Sequence, residues 1–213
     1  MGRRPAEVRR EELLRAAATV VARRGFAGAR ATDIAAELGV STALVFYHFD
    51  TKERLLSKAF LHAAEADLQR LDRVVTGRGS AADRLRAVLH LYAPAGKAPG
   101  WTLDIEAWAE ALRTPEIRQA SRRLDRRRRA AIEQVVVDGV TAGEFTCPDP
   151  RAATERIAAM LDGLAVATQV RRSVPRARAA RWAVEYAAEQ VGVPAERLLA
   201  AGTGRRPADR RRG

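Results

Sequence analysis

The stretch Ser41–Lys52 reads STALVFYHFDTK, with three aromatic rings and a histidine in four consecutive positions. The whole 213-residue chain holds only 3 Trp, 3 Tyr and 5 Phe, so this concentration asks for a chemical reason. On one helix these residues divide by angle. Val45 and Phe49 stand four apart and share a stripe that faces a core. Ala43 and Tyr47 share another, with Thr42 and Phe46 beside it, and this group points outward. The outward set has the chemistry of a nucleic-acid contact. Thr42 can hydrogen-bond a base or a phosphate, Tyr47 can donate to a phosphate, and Ala43 and Phe46 offer apolar contact to a thymine methyl. His48 can donate a ring N–H to a phosphate even when neutral. Lys52 falls in the first turn of the next helix, where a cation is unfavourable unless an external anion shares the site. Arg30, just before the preceding helix, is a second phosphate candidate.

A second constellation lies in Trp101–Leu112, WTLDIEAWAEAL, where Trp101, Asp104, Ile105, Trp108 and Leu112 share one helical face. An Asp on an apolar face is costly unless it is paired or hydrated. One reading is a pocket for a cationic or amphipathic small molecule, built from cation–π contacts and a countercharge, with Phe60 among its walls. The other has the tryptophans in a core and Asp104 paired with an arginine of the following helix. Catalysis has no comparable footing. The three histidines, His48, His62 and His90, belong to no nucleophile, metal or phosphate-loop pattern, and the lone Cys147 excludes an internal disulfide or a cysteine metal cluster. An enzyme is not expected, nor is any metal or cofactor.

The elements that position these residues are helical almost throughout. Helices are expected at about 6–24, 32–38, 42–48, 52–75, 81–93, 101–112, 115–142, 151–172 and 176–191, nine in all, with Gly25 ending the first. Within 32–49, Thr32 is a candidate N-cap, Ile34, Ala35 and Leu38 face inward, and Gly39 supplies a sharp turn. Val40 plugs the interhelical angle, and Ser41 caps the next helix. That order is a helix-turn-helix, whose second helix enters a major groove. Asp50 and Glu53 have capping-box spacing for the helix that follows. The fold class is therefore all-α. A three-helix, helix-turn-helix domain at 1–50 precedes a larger helical ligand-binding and dimerisation domain at 51–202. A basic tail at 203–213 has no apolar face, and disorder is expected there.

The net charge of +12 favours polyanions, and it concentrates in residues 1–60 (+4), 113–129 (+6) and 203–213 (+4). The run RRLDRRRR at 122–129 covers a whole helical circumference, so most of it should be solvated. Whether that run or the tail touches DNA is left open. No apolar run approaches membrane-spanning length, and a cytoplasmic protein with no membrane partner is expected.

The helix-1 ending RRGF, then TDIAAELGVS, then YHF at 47–49, then KERLL, resemble the DNA-binding domain of the tetracycline-repressor (TetR) family over about residues 9–60. WTLDIEAWAEALRTPEIR and the later AAMLDGLAVAT resemble the C-terminal domain of its betaine-regulator-like branch. The resemblance implies a homodimeric repressor that a small-molecule effector releases from a palindromic operator in double-stranded DNA. The DNA-contacting set then comprises Arg30, Thr32, Ser41, Thr42, Ala43, Phe46, Tyr47, His48 and Lys52, with Phe46 where the family usually carries Tyr. The family dimerises through its last two long helices, which here offer Ile157, Leu161, Leu164, Thr168, Trp182 and Tyr186. Two-fold symmetry would set the recognition helices about 34–36 Å apart. An activator or a DNA-architectural protein with the same head, or a helical interaction module, are the alternatives.

Overall fold

The computed structural model describes residues 6–93 and 99–199; the tail expected at 203–213 and most of the PAGKAPG connection lie outside the described residues. Three helices form the head: α1 (Ala6–Gly28), α2 (Ala31–Leu38) and α3 (Thr42–His48). The body follows as α4 (Lys52–Val75), α5 (Ala81–Tyr92), α6 (Pro99–Ala111), α7 (Pro115–Thr141), α8 (Pro150–Ala165), α9 (Arg176–Val191) and α10 (Ala195–Leu199). No helix among the described residues is long and apolar enough to cross a membrane.

The architecture follows from where each apolar stripe finds a partner. In α1, Leu13, Ala17, Val20 and Val21 are buried and pack with α2 and α4. Phe26 meets Phe60 of α4 edge-on, with ring centroids 5.8 Å apart, and this contact ties head to body. α4 runs on into the body against α7, whose Leu124, Ile132, Val135 and Val136 are buried. α5, α6 and α8 pack around α7, and α9 closes on α8. The Glu144 carboxylate crosses from the turn after α7 to accept the backbone N–H groups of Ala81 (3.0 Å) and Ala82 (3.2 Å). A side chain remote in sequence thus satisfies donors that the first turn of α5 leaves free.

Several local expectations are corrected. Among the described residues ten helices are present where nine were expected. The extra one, α10, spans only five residues, too few for periodicity to register, yet Leu198 is fully buried and α10 packs on α9 and α5. Helix α1 continues to Gly28, although Gly25 leaves helical geometry at φ 69°, ψ 171°, so the expected break is a kink. Thr32 lies inside α2. Arg30 occupies the N-cap position and makes no side-chain cap. At α4 the cap is Thr51, whose hydroxyl accepts the Arg54 N–H at 3.1 Å, while Asp50 pairs with the Arg54 guanidinium. α8 ends at Ala165 and continues as a π-helical turn, Val166–Val170, where the Thr168 hydroxyl donates to the Leu164 and Ala165 carbonyls. A hydroxyl drawing on helix carbonyls in this way accompanies departures from α geometry.

Candidate functional site

The chain presents two sites, one at each end of a connected stack of helices. In the head, the Gly39 N–H closes α2 onto the Ala36 carbonyl, and the residue's left-handed backbone, φ 63°, turns the chain into α3. The Ser41 hydroxyl accepts the Leu44 N–H at 3.2 Å and caps α3. Val45 and Phe49 are buried, and the Arg10 guanidinium lies over the Phe49 ring at 5.2 Å. These contacts fix the rotation of a helix only two turns long. Its opposite side is open: Tyr47 is 81% exposed and Phe46 43%, and Ala43 is exposed beside them. Thr42 and His48 are half-buried, with His48 edge-on to Tyr47 at 5.3 Å. Arg30, Thr32 and Ser41 are exposed near this face, and Lys52 is half-buried at the start of α4. Among the described residues neither Arg30 nor Lys52 forms an ion pair, whereas Arg23, Arg24 and Arg54 pair with Glu37, Asp33 and Asp50. Two cations without an ion pair, Arg30 before α2 and Lys52 at the start of α4, thus accompany the exposed aromatic face of α3. That is the chemistry of phosphate and base-edge contact.

The second site is in the body. A cleft of about 200 Å³ is lined by Asp67, Arg70, His90, Leu91, Tyr92, Gly100, Trp101, Asp104 and Arg128. A narrower recess continues it past Tyr92, Trp101 and Arg128 to Asp125, Arg129, Ile132, Ala158, Leu161 and Asp162. Trp101 is buried, donates its indole N–H to the Tyr92 carbonyl at 3.0 Å, and stands edge-on to the half-buried Trp108 at 6.1 Å. Asp104 does have a partner on the next helix: Arg128 Nη1 donates to Asp104 Oδ2 at 2.8 Å, with side-chain exposures of 14% and 7%. Burial still pushes the Asp104 carboxyl above its ordinary value, against the pull of Arg128. The same guanidinium sits 5.4 Å over the Tyr92 ring. Burial pushes the Tyr92 phenol up to about 12.

Of the expected pocket residues, Trp101 and Asp104 line the cleft. Ile105 and Trp108 pack half-buried behind it, and Phe60 is buried at the head–body contact with Phe26 rather than in the cleft wall. Tyr92, Arg128 and Asp162 were not singled out. Asp162 carried a usable signal, because an acid inside AAMLDGLAV is the same anomaly that marked Asp104. In the arginine run, Arg122, Arg123 and Arg126 are exposed, Arg127 reaches Asp72 (3.1 Å) and Glu65 of α4, Arg128 holds Asp104, and Arg129 holds Asp125.

Of the residues expected at the dimer interface, Ile157, Leu161, Leu164 and Thr168 are buried within the single chain. On these helices Gly163, Val170 and Trp182 are exposed, with Trp182 at 39%, and Tyr186 is half-buried.

With this geometry in hand, the known proteins it resembles are informative. Residues 13–59 match the bacterial regulatory proteins of the tetR family, and residues 81–192, over half of the chain, match the BetI-type transcriptional repressor C-terminal domain. The chain belongs to the TetR family. Within it, the body is of the BetI type, and the protein is a DNA-binding transcriptional regulator, not an enzyme. A BetI regulator of Paraburkholderia phytofirmans is 28% identical over 167 residues, covering 74% of this chain and 80% of that one. The nucleoid occlusion factor SlmA of Vibrio campbellii is 27% identical over 130 residues, 60% and 66% of the two chains. Among solved structures, a transcriptional regulator of Saccharomonospora viridis in complex with choline superposes with a TM-score of 0.76 at 25% identity, covering 84% of this chain and 95% of that one. A TetR regulator of Haloarcula marismortui superposes equally well, TM-score 0.76 at 24% identity, covering 86% and 98%, and shows the shared fold.

Proposed function

We propose that this TetR-family regulator is a cytoplasmic homodimeric repressor that a small organic cation releases from a palindromic operator. One observation carries the ligand-controlled part of this reading: α6 lines the cleft on one side and packs on α1 of the head on the other. Trp101 and Asp104 form the cleft wall, while Thr102, Leu103 and Glu106 on the other side of the same helix line a cavity with Val21–Gly25 at the end of α1. The fit against the head is close, since a β-carbon on Gly25 would lie 2.6 Å from a Glu106 carboxylate oxygen. A molecule that shifts α6 by filling the cleft therefore acts on the helix that carries the head's core. The aromatic lining of Tyr92 and Trp101 suits an organic cation, and the S. viridis complex with choline supports the same ligand class. For dimerisation, the exposed Trp182 and Val170 on neighbouring elements offer apolar area to a second copy.

The test is selection of bound duplexes from a random pool, followed by titration of the selected site. A two-fold symmetric site, an affinity that falls steeply with salt as phosphate contacts release counterions, and weakening by choline are the expected outcomes. An asymmetric site or a flat salt dependence overturns the operator reading. Indifference of the complex to a panel of small cations overturns the effector reading.

A further inference from the structure

Residues 163–184 carry five arginines, Arg171, Arg172, Arg176, Arg178 and Arg181, and no acid. Arg181 pairs with Glu185 on α9 at 2.7 Å. The other four surround the turn between the π-helical segment and α9, and all four are exposed. Among the described residues their side chains form no hydrogen bond and no ion pair. Four like charges on so short a stretch repel one another, a cost that a polyanion reverses.

The backbone marks the same turn. Arg172 has φ 52°, and among the described residues it is the only one besides glycines with a positive φ. The Ser173 N–H donates to the Ala167 carbonyl at 3.0 Å across it and closes the helix end. That left-handed position favours glycine, because a β-carbon is strained there. An arginine stands in it at a cost, and residues held in this conformation concentrate at functional sites.

The packing puts the turn at the head end of the body. Arg127 of α7 pairs with Glu65 and Asp72 of α4, and Asp138, near the end of α7, pairs with Arg84, which also donates to the Val75 carbonyl. So α7 runs alongside α4, away from the head. α8 comes back, its Leu161 and Asp162 lining one recess with Asp125 and Arg128 of α7. After about 30 Å of helix it reaches the π-helical segment, which packs on α6, and α6 packs on α1.

We propose that this arginine turn is a second DNA-contacting surface, which holds the phosphates between the two half-sites of the operator. This rests on the reading of the chain as an operator-binding dimer. With Val170 and Trp182 set against a second copy, the two turns come together near the two-fold axis. They then face the stretch of duplex that neither recognition helix covers. Guanidinium groups on phosphates add affinity and fix the register of the dimer without reading bases. The sequence between the half-sites is therefore free, while its charge is not.

Anisotropy titrations of the full chain on its selected operator test this, using a variant that combines Arg171→Gln, Arg172→Gln, Arg176→Gln and Arg178→Gln. At physiological salt the variant should lose about tenfold or more in affinity, and its log–log salt slope should be shallower by about 2 or more, from at least one phosphate contact per protomer. Neutral methylphosphonate linkages between the half-sites should weaken wild type about tenfold or more and the variant less than about twofold. The same linkages outside the half-sites should weaken neither. Arg172→Gly relaxes the backbone and should melt no lower than wild type while binding operator more weakly, a pair of results that a purely structural role does not give. Equal affinity and slope for variant and wild type, or central linkages that cost wild type no more than flanking ones, overturn the proposal and leave the operator reading in place. A wild type that selects no duplex, or that binds one half-site as a monomer, overturns both. If the combined variant does not dimerise in light scattering, central against flanking linkages on wild-type protein decide alone.

Discussion

Removing the Asp104 carboxylate should destabilise the body far more than an ordinary surface change. In Asp104→Ala, the Arg128 guanidinium stays enclosed, losing the oxygen that Nη1 donates to at 2.8 Å, while its Nε–H is already without a partner. Breaking one side of a buried ion pair costs about 3–5 kcal/mol, because the remaining charge is uncompensated. For a chain of this size each kcal/mol shifts the melting temperature by about 2–4 °C, so the expected loss is about 6–20 °C. Replacing both partners with apolar groups of similar bulk, Asp104→Leu with Arg128→Met, removes the orphaned charge and should recover most of that loss. The assay is thermal and urea unfolding followed by circular dichroism, at one fixed protein concentration because any self-association makes the midpoint concentration-dependent. Added salt should change the single variant's deficit little, since enclosed charges are weakly screened. A deficit below about 1 kcal/mol, or a double variant no better than the single one, would falsify the view that this pair frames the cleft.

Tyr47→Ala should leave stability within about 0.5 kcal/mol, because the ring is exposed, yet weaken operator binding by about 1–3 kcal/mol for each recognition helix. Unchanged affinity in a gel-shift titration at physiological salt rejects the orientation of α3 described above. Trp182→Asp should shift the protein from dimer to monomer in light scattering while the helical signal is kept; a dimer at the same concentration rules out this face as the interface. Asp162, raised to about 6 in the fold from 3.8, binds a proton in the native state that the unfolded chain releases at lower pH. Stability therefore falls as pH rises from about 4 to about 6. Asp162→Asn should melt like wild type near pH 4 and above it past pH 6; a gap of constant size across this range sinks the argument.

The helices were legible because their stripes and breakers agree, and the rotation of α3 was legible because Val45 and Phe49 have only one way to be buried together. What could not be read were choices between neighbours of equal competence. Asp50 and Thr51 can both cap α4, and only the Arg54 guanidinium, which takes Asp50, leaves the cap to Thr51. Asp104 and Asp162 are both acids in apolar surroundings, and which one is neutralised depends on the angle at which Arg128 leaves α7. The apolar stripe of α8, Ile157, Leu161 and Leu164, is buried within its own body, and Gly163, Val170 and Trp182 are left exposed. Phe60, an aromatic near the junction, went to the head–body seam, which must be closed whatever the ligand.

The four consecutive arginines at 126–129 have a consequence for how this gene can vary. Successive residues on a helix are turned by about 100°, so each guanidinium is dealt to a different neighbour. The first faces solvent, the second takes acids of α4, the third an acid of α6, and the fourth an acid on its own helix. Because the residues are identical, exchanging any two changes nothing, but inserting or deleting one residue just upstream in α7 changes the dealing. Arg128 would then be presented where Arg127 or Arg129 now stands, but Arg129 or Arg127 would take its place, so an arginine still arrives at Asp104. The run thus cushions the Asp104 contact against a slip of one residue in α7. Descendants of this sequence should keep that contact through a one-residue change upstream and lose it once a deletion of two residues delivers Ala130 instead.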